Sequence, residues 1–258
     1  MGLSHCTTVD RLKTDPRFAS LRRSLDVYYG DRDREIAMDT LYGRFLTKSA
    51  LAFDIGSHVG DRIASFRRLG ARVVALEPQP DCMAVLDALY CCDGAVTLSN
   101  SACGARAGEI TLHVNSANPT VTTASTAFIE AADGAGGWEG QVWDREIRVP
   151  VTTLDALIAK HGLPQFVKID VEGFEADVLA GLSQTVPALS FEFTTIQRDV
   201  ALRCLDHLSS IASYGFDIAL GESQRLTFDR WITATEMRAH IAALPHDANS
   251  GDIYAVLE

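Results

Sequence analysis

The chain is short of several signals that would decide its class at once. Its six cysteines, Cys6, Cys82, Cys91, Cys92, Cys103 and Cys204, include no C-x-x-C pair, and Cys91 and Cys92 are adjacent, a poor arrangement for a bridge. They read as reduced thiols in a cytoplasmic compartment. Positive charge is scarce. Lys and Arg number 23 against 34 Asp and Glu, which leaves a formal charge of -11 and a pI near 5.0. A nucleic-acid partner, which needs a basic patch to meet phosphates, is therefore not expected. No apolar run is long enough to span a bilayer, and the opening "MGLSHCTTVDRLKTDPRF" lacks the apolar core of a signal peptide, so no membrane partner is expected. Met1–Gly2 resembles the start of a myristoylation signal, a weak match that is set aside. The G-x-G-x-x-G spacing of a dinucleotide site is absent, and so is any internal repeat.

What is present is ordinary globular composition, 47% hydrophobic and 22% charged, over 258 residues, enough to bury a core without staples. Residues 1–50 read as helical. Phe18, Leu21 and Leu25 recur at helical spacing, as do Ile36, Leu41 and Phe45. Arg11, Arg17, Arg22, Arg23, Arg32 and Arg34 tint this segment basic, either as solvated helix faces or as a cap over an acidic or sugar-like ligand. The expected division is an N-terminal helical extension or cap over 1–50 and one larger domain over 51–258.

From Leu51 the apolar runs "LAFDI", "RVVALE", "VTLSN", "EITLHV", "REIRVPV", "FVKID", "LSFEF", "FDIAL" and "IYAVLE" read as strands. Helical patterns alternate with them. One carries Ile63, Phe66 and Leu69, and another Met83, Leu86 and Leu89. A third opens with Thr152 and Asp155 at capping-box spacing and ends on Gly162. "FEADVLAGL" follows "FVKIDVEG", a long helix is expected from Arg198 to Tyr214, and a last one runs from a Thr233/Glu236 box to Leu244. This alternation predicts an α/β fold, doubly wound, with a mostly parallel sheet covered on both faces. "GEITLHVN" and "REIRVPV" follow no helix and are expected to form a small antiparallel insertion. The Ala-, Gly-, Ser- and Thr-rich segment between them is long enough to be functional or mobile.

Two acidic residues, Asp54 and Glu77, fall at the carboxyl ends of the first two strands, where open parallel sheets bind ligands. In "DIGSHVGD" Gly56 and Gly60 let backbone come close to a ligand. An Asp beside that loop would repel a pyrophosphate. S-adenosylmethionine, with a sulfonium, an amino group and a ribose but no phosphate, suits the loop better. Glu77 can accept hydrogen bonds from both ribose hydroxyls, and Asp54 can complement the amino group or the sulfonium.

The segments "FDIGSHVGD", "VVALEPQP", "LSNSACGARAGEITLHV", "VPVTTLDALI" and "FVKIDVEGFEADVLAGL" resemble the FkbM family of S-adenosylmethionine-dependent methyltransferases over roughly residues 50–195. The resemblance implies a class I, Rossmann-like sheet of seven strands, whose last strand, here "GDIYAVLE", inserts antiparallel beside its neighbours. It assigns Asp54, Gly56 and Gly60 to the methionine end of the cofactor, Glu77 to the ribose, and Ser101 and Ala102 to the adenine side, and it places Ser57, His58, Pro78 and Asp170 in the same cofactor site. The family has Asn where this chain has His58. An imidazole there either shifts the methionine contacts or reaches the acceptor.

Methyl transfer to an alcohol needs a positioned acceptor and a group to take its proton. Lys168 and Asp170 fall on one side of the fourth parallel strand, and Asp170 at its carboxyl end could face both cofactor and acceptor as base, orienter or metal ligand. Glu172 is either catalytic or a cap on the next helix. His58 is a candidate base, His113 reads as a sheet-face residue, and Glu192 is divided between acceptor pocket and structure. Trp138 and Trp143 could stack on a sugar or pack locally, and Ser116, Thr122, Thr123 and Ser125 could offer hydroxyls. Asp170 and Glu172 alone supply too few oxygens for a cation, so no metal is expected. The expected activity is O-methylation of a small molecule, sugar or natural product. A methyltransferase acting on nitrogen, a non-catalytic cofactor-binding module and a nicotinamide oxidoreductase are the alternatives.

Overall fold

A computed structural model describes residues 3–258, with side chains from residue 8 on, so the Met1–Gly2 signal and the Cys6 thiol lie outside the described residues. The basic N-terminal segment folds into α1 (Leu3–Thr14), a 3-10 turn (Pro16–Leu21), α2 (Arg22–Tyr28) and α3 (Arg32–Tyr42). Aspartates cap two of these pieces. Asp15 accepts from Arg17 N at 2.9 Å, and Asp31 accepts from Asp33 N at 3.0 Å and Arg34 N at 3.1 Å. Leu21 and Leu25 are fully buried against Val59 and Val85, as their spacing predicts. Ile36 is not: it is 53% exposed. Phe45 is buried for a different reason than helical periodicity, because α3 has already ended and the ring stacks on Phe166 at 5.0 Å and Tyr254 at 5.7 Å.

The chain then alternates through β1 (Leu51–Ile55), α4 (Asp61–Arg68), β2 (Arg72–Leu76), α5 (Pro80–Tyr90) and β3 (Val96–Ser99). A side sheet follows: β4 (Ala102–Cys103), β5 (Gly108–Val114), α6 (Thr126–Ala132) and β6 (Arg145–Thr152). The alternation resumes with α7 (Leu154–His161), β7 (Phe166–Ile169), α8 (Glu175–Leu179), β8 (Ala188–Thr194), α9 (Arg198–Ile211), β9 (Tyr214–Leu220), α10 (Ala234–Ala243) and β10 (Ser250–Leu257). The main sheet has seven strands in the order β3-β2-β1-β7-β8-β10-β9. β10 runs antiparallel between β8 and β9, and the other pairs are parallel. This is the class I, Rossmann-like α/β arrangement. The strand order reverses between β1 and β7, which makes their carboxyl ends the ligand crevice.

Every residue of β1 and β7 is buried, because helices cover both faces. The period of two sorts the side chains into two layers. Phe53, Ile55, Val167, Ile169 and Phe191 pack with α7, α8, α9 and α10, whereas Ala52, Val73, Phe166 and Tyr254 pack with α3, α4 and α5. Each such Phe or Leu contributes about 1.5–3 kcal/mol by leaving water. Phe166 touches Tyr42, Phe45, Phe66 and Tyr254, so the segment after α3 shares this core.

The side sheet is antiparallel between β5 and β6, as expected, and gains a short parallel third strand, β4, which two residues are too few to announce. Two boundaries differ from the sequence reading. Thr153, not Thr152, caps α7 by accepting from Ala156 N at 3.1 Å, while Asp155 turns to Ser183 N at 3.0 Å. Helix α9 stops at Ile211, because Tyr214 opens β9 and its hydroxyl bonds the Val186 carbonyl at 3.0 Å.

Candidate active site

A cavity of about 930 Å³, including the part open to solvent, lies at the carboxyl ends of β1, β2 and β7. Its first wall is the turn after β1. Asp54 is 1% exposed, and its Oδ2 has no hydrogen-bond partner. Burial pushes its carboxyl up to about 7, against a smaller opposing pull from Ser57. Ser57 Oγ donates to the Asp54 carbonyl at 3.0 Å, and Gly56 N and Ser57 N both donate to the Leu76 carbonyl at 3.0 Å. Gly56 sits at φ +83°, and a Cβ there would lie 1.8 Å from the Asp170 carbonyl oxygen. Its neighbour is thus the turn after β7, and the missing side chain lets two strand-end turns touch.

Glu77, just past β2, is 2% exposed. Its Oε1 accepts from Gln79 N and its Oε2 from His58 N, each at 2.8 Å, which ties the β1 turn to the end of β2. Burial raises this carboxyl to about 7, with the two backbone N–H groups pulling the other way. Pro78, Ser101 and Ala102 continue the lining, and Ser101 shares its hydroxyl with Ser99 at 3.0 Å.

His58 holds a left-handed φ of +46°, a conformation that Asn tolerates better than most side chains. Its imidazole is enclosed: Nδ1 is 3.5 Å from Cys82 Sγ, Nε2 is 3.4 Å from Thr120 Oγ1, and the Tyr28 ring meets it edge-on at 5.9 Å. Burial lowers its pKa to about 4, so it is neutral at pH 7. Gly60 does not line the cavity. It sits at φ +84° at the start of α4, where a Cβ would come within 2.7 Å of Leu86 and 2.8 Å of Tyr90, so packing of α5 requires this glycine.

The turn after β7 forms the second wall. Lys168 is fully buried and donates to Asp170 Oδ2 and to Asp252 Oδ1, each at 2.9 Å. Burial alone would lower its pKa, but Asp170 and Asp252 outweigh it and hold the ammonium well above its ordinary value. Burial likewise opposes ionisation of Asp170, and Lys168 outweighs it and holds this carboxyl below the usual range. Glu172 lines the cavity at φ +55°, with Thr123 Oγ1 donating to its carbonyl at 2.6 Å. It does not cap the next helix. Nor does Glu175, the first helical residue, whose carboxylate accepts from Val171 N at 3.0 Å and Gly173 N at 3.3 Å in the turn before the helix.

Further lining residues come from segments distant in sequence from the two strand-end turns. Tyr28 arrives from the N-terminal helices, Thr120 and Thr122 from the segment before α6, and Glu222 from beyond β9. Arg34 pairs with Asp61 and Glu222 at 2.8 Å each, Arg62 pairs with Asp61 at 2.6 Å, and Arg34 lies 5.0 Å above the Tyr28 ring. The local excess of arginine was the available hint. Gln79 holds the 119–122 segment in place through Pro119 O at 3.2 Å and Thr122 Oγ1 at 3.0 Å. Trp138 and Trp143 stay off the cavity and pack edge-on against Phe128 at 5.1 and 6.2 Å. Ser125 caps α6, Ser116 N donates to Asp144 at 2.9 Å, and His113, on a strand, meets Glu146 at 3.4 Å.

Compared with protein families, residues 54–218 match the methyltransferase FkbM domain. No curated protein matches the chain. Among solved structures, the precorrin-6Y C5,15-methyltransferase of Geobacter metallireducens is 13% identical with a TM-score of 0.45, covering 86% of this chain and 87% of its own. A TehB-like SAM-dependent methyltransferase of Corynebacterium glutamicum is 9% identical with a TM-score of 0.45, covering 93% and 96%. A putative O-methyltransferase of Klebsiella pneumoniae is 11% identical with a TM-score of 0.42, covering 97% and 90%. The domain match spans more than half of the chain, and the chain belongs to the FkbM methyltransferase family. Its cofactor is S-adenosylmethionine. The site suits that group. It has two buried carboxylates with spare acceptor capacity, one with an oxygen lacking any donor among the described residues, on the wall of a cavity at the strand ends.

Proposed function

We propose that this FkbM-family member transfers a methyl group to a hydroxyl of a small molecule, a sugar unit or a natural product. The observation that carries the reading is Asp170. It sits at the β7 carboxyl end on the cavity wall, fixed by a buried lysine and adjoining Glu172. In this reading Glu77 accepts from the ribose hydroxyls, and Pro78, Ser101 and Ala102 flank the nucleoside. Asp54 directs its unpartnered oxygen to the amino group, and the turn Gly56–Ser57–His58 shapes the methionine end. The bound cofactor supplies a methyl group activated by positive sulfur. Asp170 orients the acceptor hydroxyl, and the Asp170/Glu172 pair receives its proton as the new bond forms. His58 is left out as a base, because both ring nitrogens have neighbours and a pKa of about 4 makes it a weak proton acceptor.

Residues 1–50 act as a cap in this reading, with Tyr28 and Arg34 closing over a 51–258 catalytic domain. No described helix is long and apolar enough to cross a membrane. The five cysteines with described side chains are free, which supports a cytoplasmic setting. Incubation with methyl-labelled S-adenosylmethionine and a panel of glycosides and macrolides tests the reaction. Label should appear on a hydroxyl oxygen. Transfer to nitrogen alone, or tight cofactor binding with no transfer, rejects the reading.

A further inference from the structure

Three carboxylates converge at the end of β7. Asp170, Glu172 and Glu192 each offer an oxygen within 4.8 Å of the other two. Glu192 comes from β8, so the sequence pair Asp170/Glu172 acquires a third oxygen donor that only the fold supplies. Neighbouring cationic and N–H groups are already used. Lys168 is divided between Asp170 Oδ2 and Asp252, and the backbone N–H groups of Val171 and Gly173 go to Glu175.

Among the described residues nothing donates to the Glu172 carboxylate, although Glu172 is only 8% exposed. The Oε2 of Glu192 is buried without a donor. A further observation lies outside the carboxylates. Gln197, 7% exposed, holds its Oε1 without a donor in the small cavity that Glu192 also lines. Acceptor oxygens therefore gather here without matching donors, and buried carboxylates in that condition are costly unless they take up protons or a positive group joins them.

We propose that Asp170, Glu172 and Glu192 bind one divalent, oxygen-preferring cation between the two cavities. An all-oxygen set favours Mg²⁺, Mn²⁺ or Ca²⁺ over metals that seek nitrogen or sulfur. Oxygens on opposite sides of a calcium-sized ion lie about 5 Å apart, given Ca–O distances of about 2.3–2.6 Å, so the spacing needs little adjustment. The ion's role rests on the O-methylation reading: facing the acceptor side, it would hold the acceptor oxygen and ease loss of its proton. Its binding does not rest on that reading.

The test is a titration of the full chain with Mn²⁺, without cofactor, followed by the electron paramagnetic resonance signal of free Mn²⁺ and competed with Mg²⁺ and Ca²⁺. One saturable ion per chain is expected, bound at least tenfold more weakly by Glu192→Gln and Glu172→Gln and unchanged in Cys91→Ser. If a glutamine variant does not fold, Glu192→Asp keeps the charge, displaces the oxygen by one methylene, and should bind at least threefold more weakly. No saturable binding by the folded wild type, or equal binding by wild type and variants, overturns the proposal. Label transfer from S-adenosylmethionine to the hydroxyl panel separates the two readings. Transfer to a hydroxyl without a Mn²⁺ site ends the metal inference alone, and a Mn²⁺ site with transfer only to nitrogen ends the O-methylation reading alone.

Discussion

Replacing Glu77 with Gln removes one charge and one acceptor from the end of β2. In the wild type the two carboxylate oxygens accept from Gln79 N and His58 N at 2.8 Å, and each retains capacity for one more bond. A glutamine can satisfy only one of these N–H groups with its oxygen, and its own NH₂ faces the other. The buried N–H left over costs about 1–3 kcal/mol of stability. Loss of the charge-assisted bond to a ribose hydroxyl removes about 1.5–3 kcal/mol of binding, or about 10- to 100-fold in affinity. The effect also has a pH signature. Burial raises Glu77 from 4.5 to about 7. The free folded protein therefore keeps a proton that the unfolded chain has lost, and its stability falls as pH rises from about 4.5 to about 7. A ligand that binds the ionised carboxylate reverses this. A group titrating at about 7 is about one-tenth ionised at pH 6 and about nine-tenths at pH 8, so affinity rises about tenfold over that span. Asp54, also near 7, adds a second limb of similar size. Calorimetry with S-adenosylhomocysteine should show a rise of up to about 100-fold in the wild type and about tenfold in Glu77→Gln. A variant that binds within about twofold of wild type at pH 8, with an unchanged pH profile, would refute the reasoning.

Other substitutions probe the remaining walls. Asp170→Asn should keep cofactor affinity and lose about 10²–10⁴-fold in turnover, measured by label transfer; equal losses of binding and turnover would argue against its position at the methyl. Lys168→Met leaves the buried Asp252 and the half-buried Asp170 without their cation, and should cost about 3–5 kcal/mol by denaturant titration. Gly56→Ala forces a Cβ against the Asp170 carbonyl at a left-handed φ, and should lower the melting temperature by about 5 °C or more, or abolish folding. His58→Asn, better suited to φ +46°, should retain turnover within a few-fold; a collapse of turnover with cofactor binding intact would restore His58 as a base.

How much was legible follows from the range of each interaction. The β1 and β2 ends, with Asp54 and Glu77, show in the local pattern because strand, turn and helix are specified within a few residues. The Asp170 position shows for the same reason. Glu192 shows as a strand-end carboxylate, though not its nearness to Asp170 and Glu172, and Asp252 does not show, because its pairing with Lys168 spans 84 residues and depends on β10 lying antiparallel between β8 and β9. Tyr28, Thr120 and Glu222 reach the cavity only through packing. For the tryptophans the sequence left stacking on a ligand and local packing both open, and Phe128 on α6 decides for packing by giving them a small core of their own. Gly60 was expected to make room for a ligand but makes room for α5, whereas Gly56 lines the cavity and also leaves space for the Asp170 carbonyl.

A crystal structure with S-adenosylhomocysteine bound tests the central claim most directly. The account predicts both ribose hydroxyls within about 2.5–3.0 Å of the Glu77 carboxylate, with the sulfur on the Asp170 side of the cavity. A nucleoside seated elsewhere, or a Glu77 carboxylate making only its two backbone contacts, would contradict it.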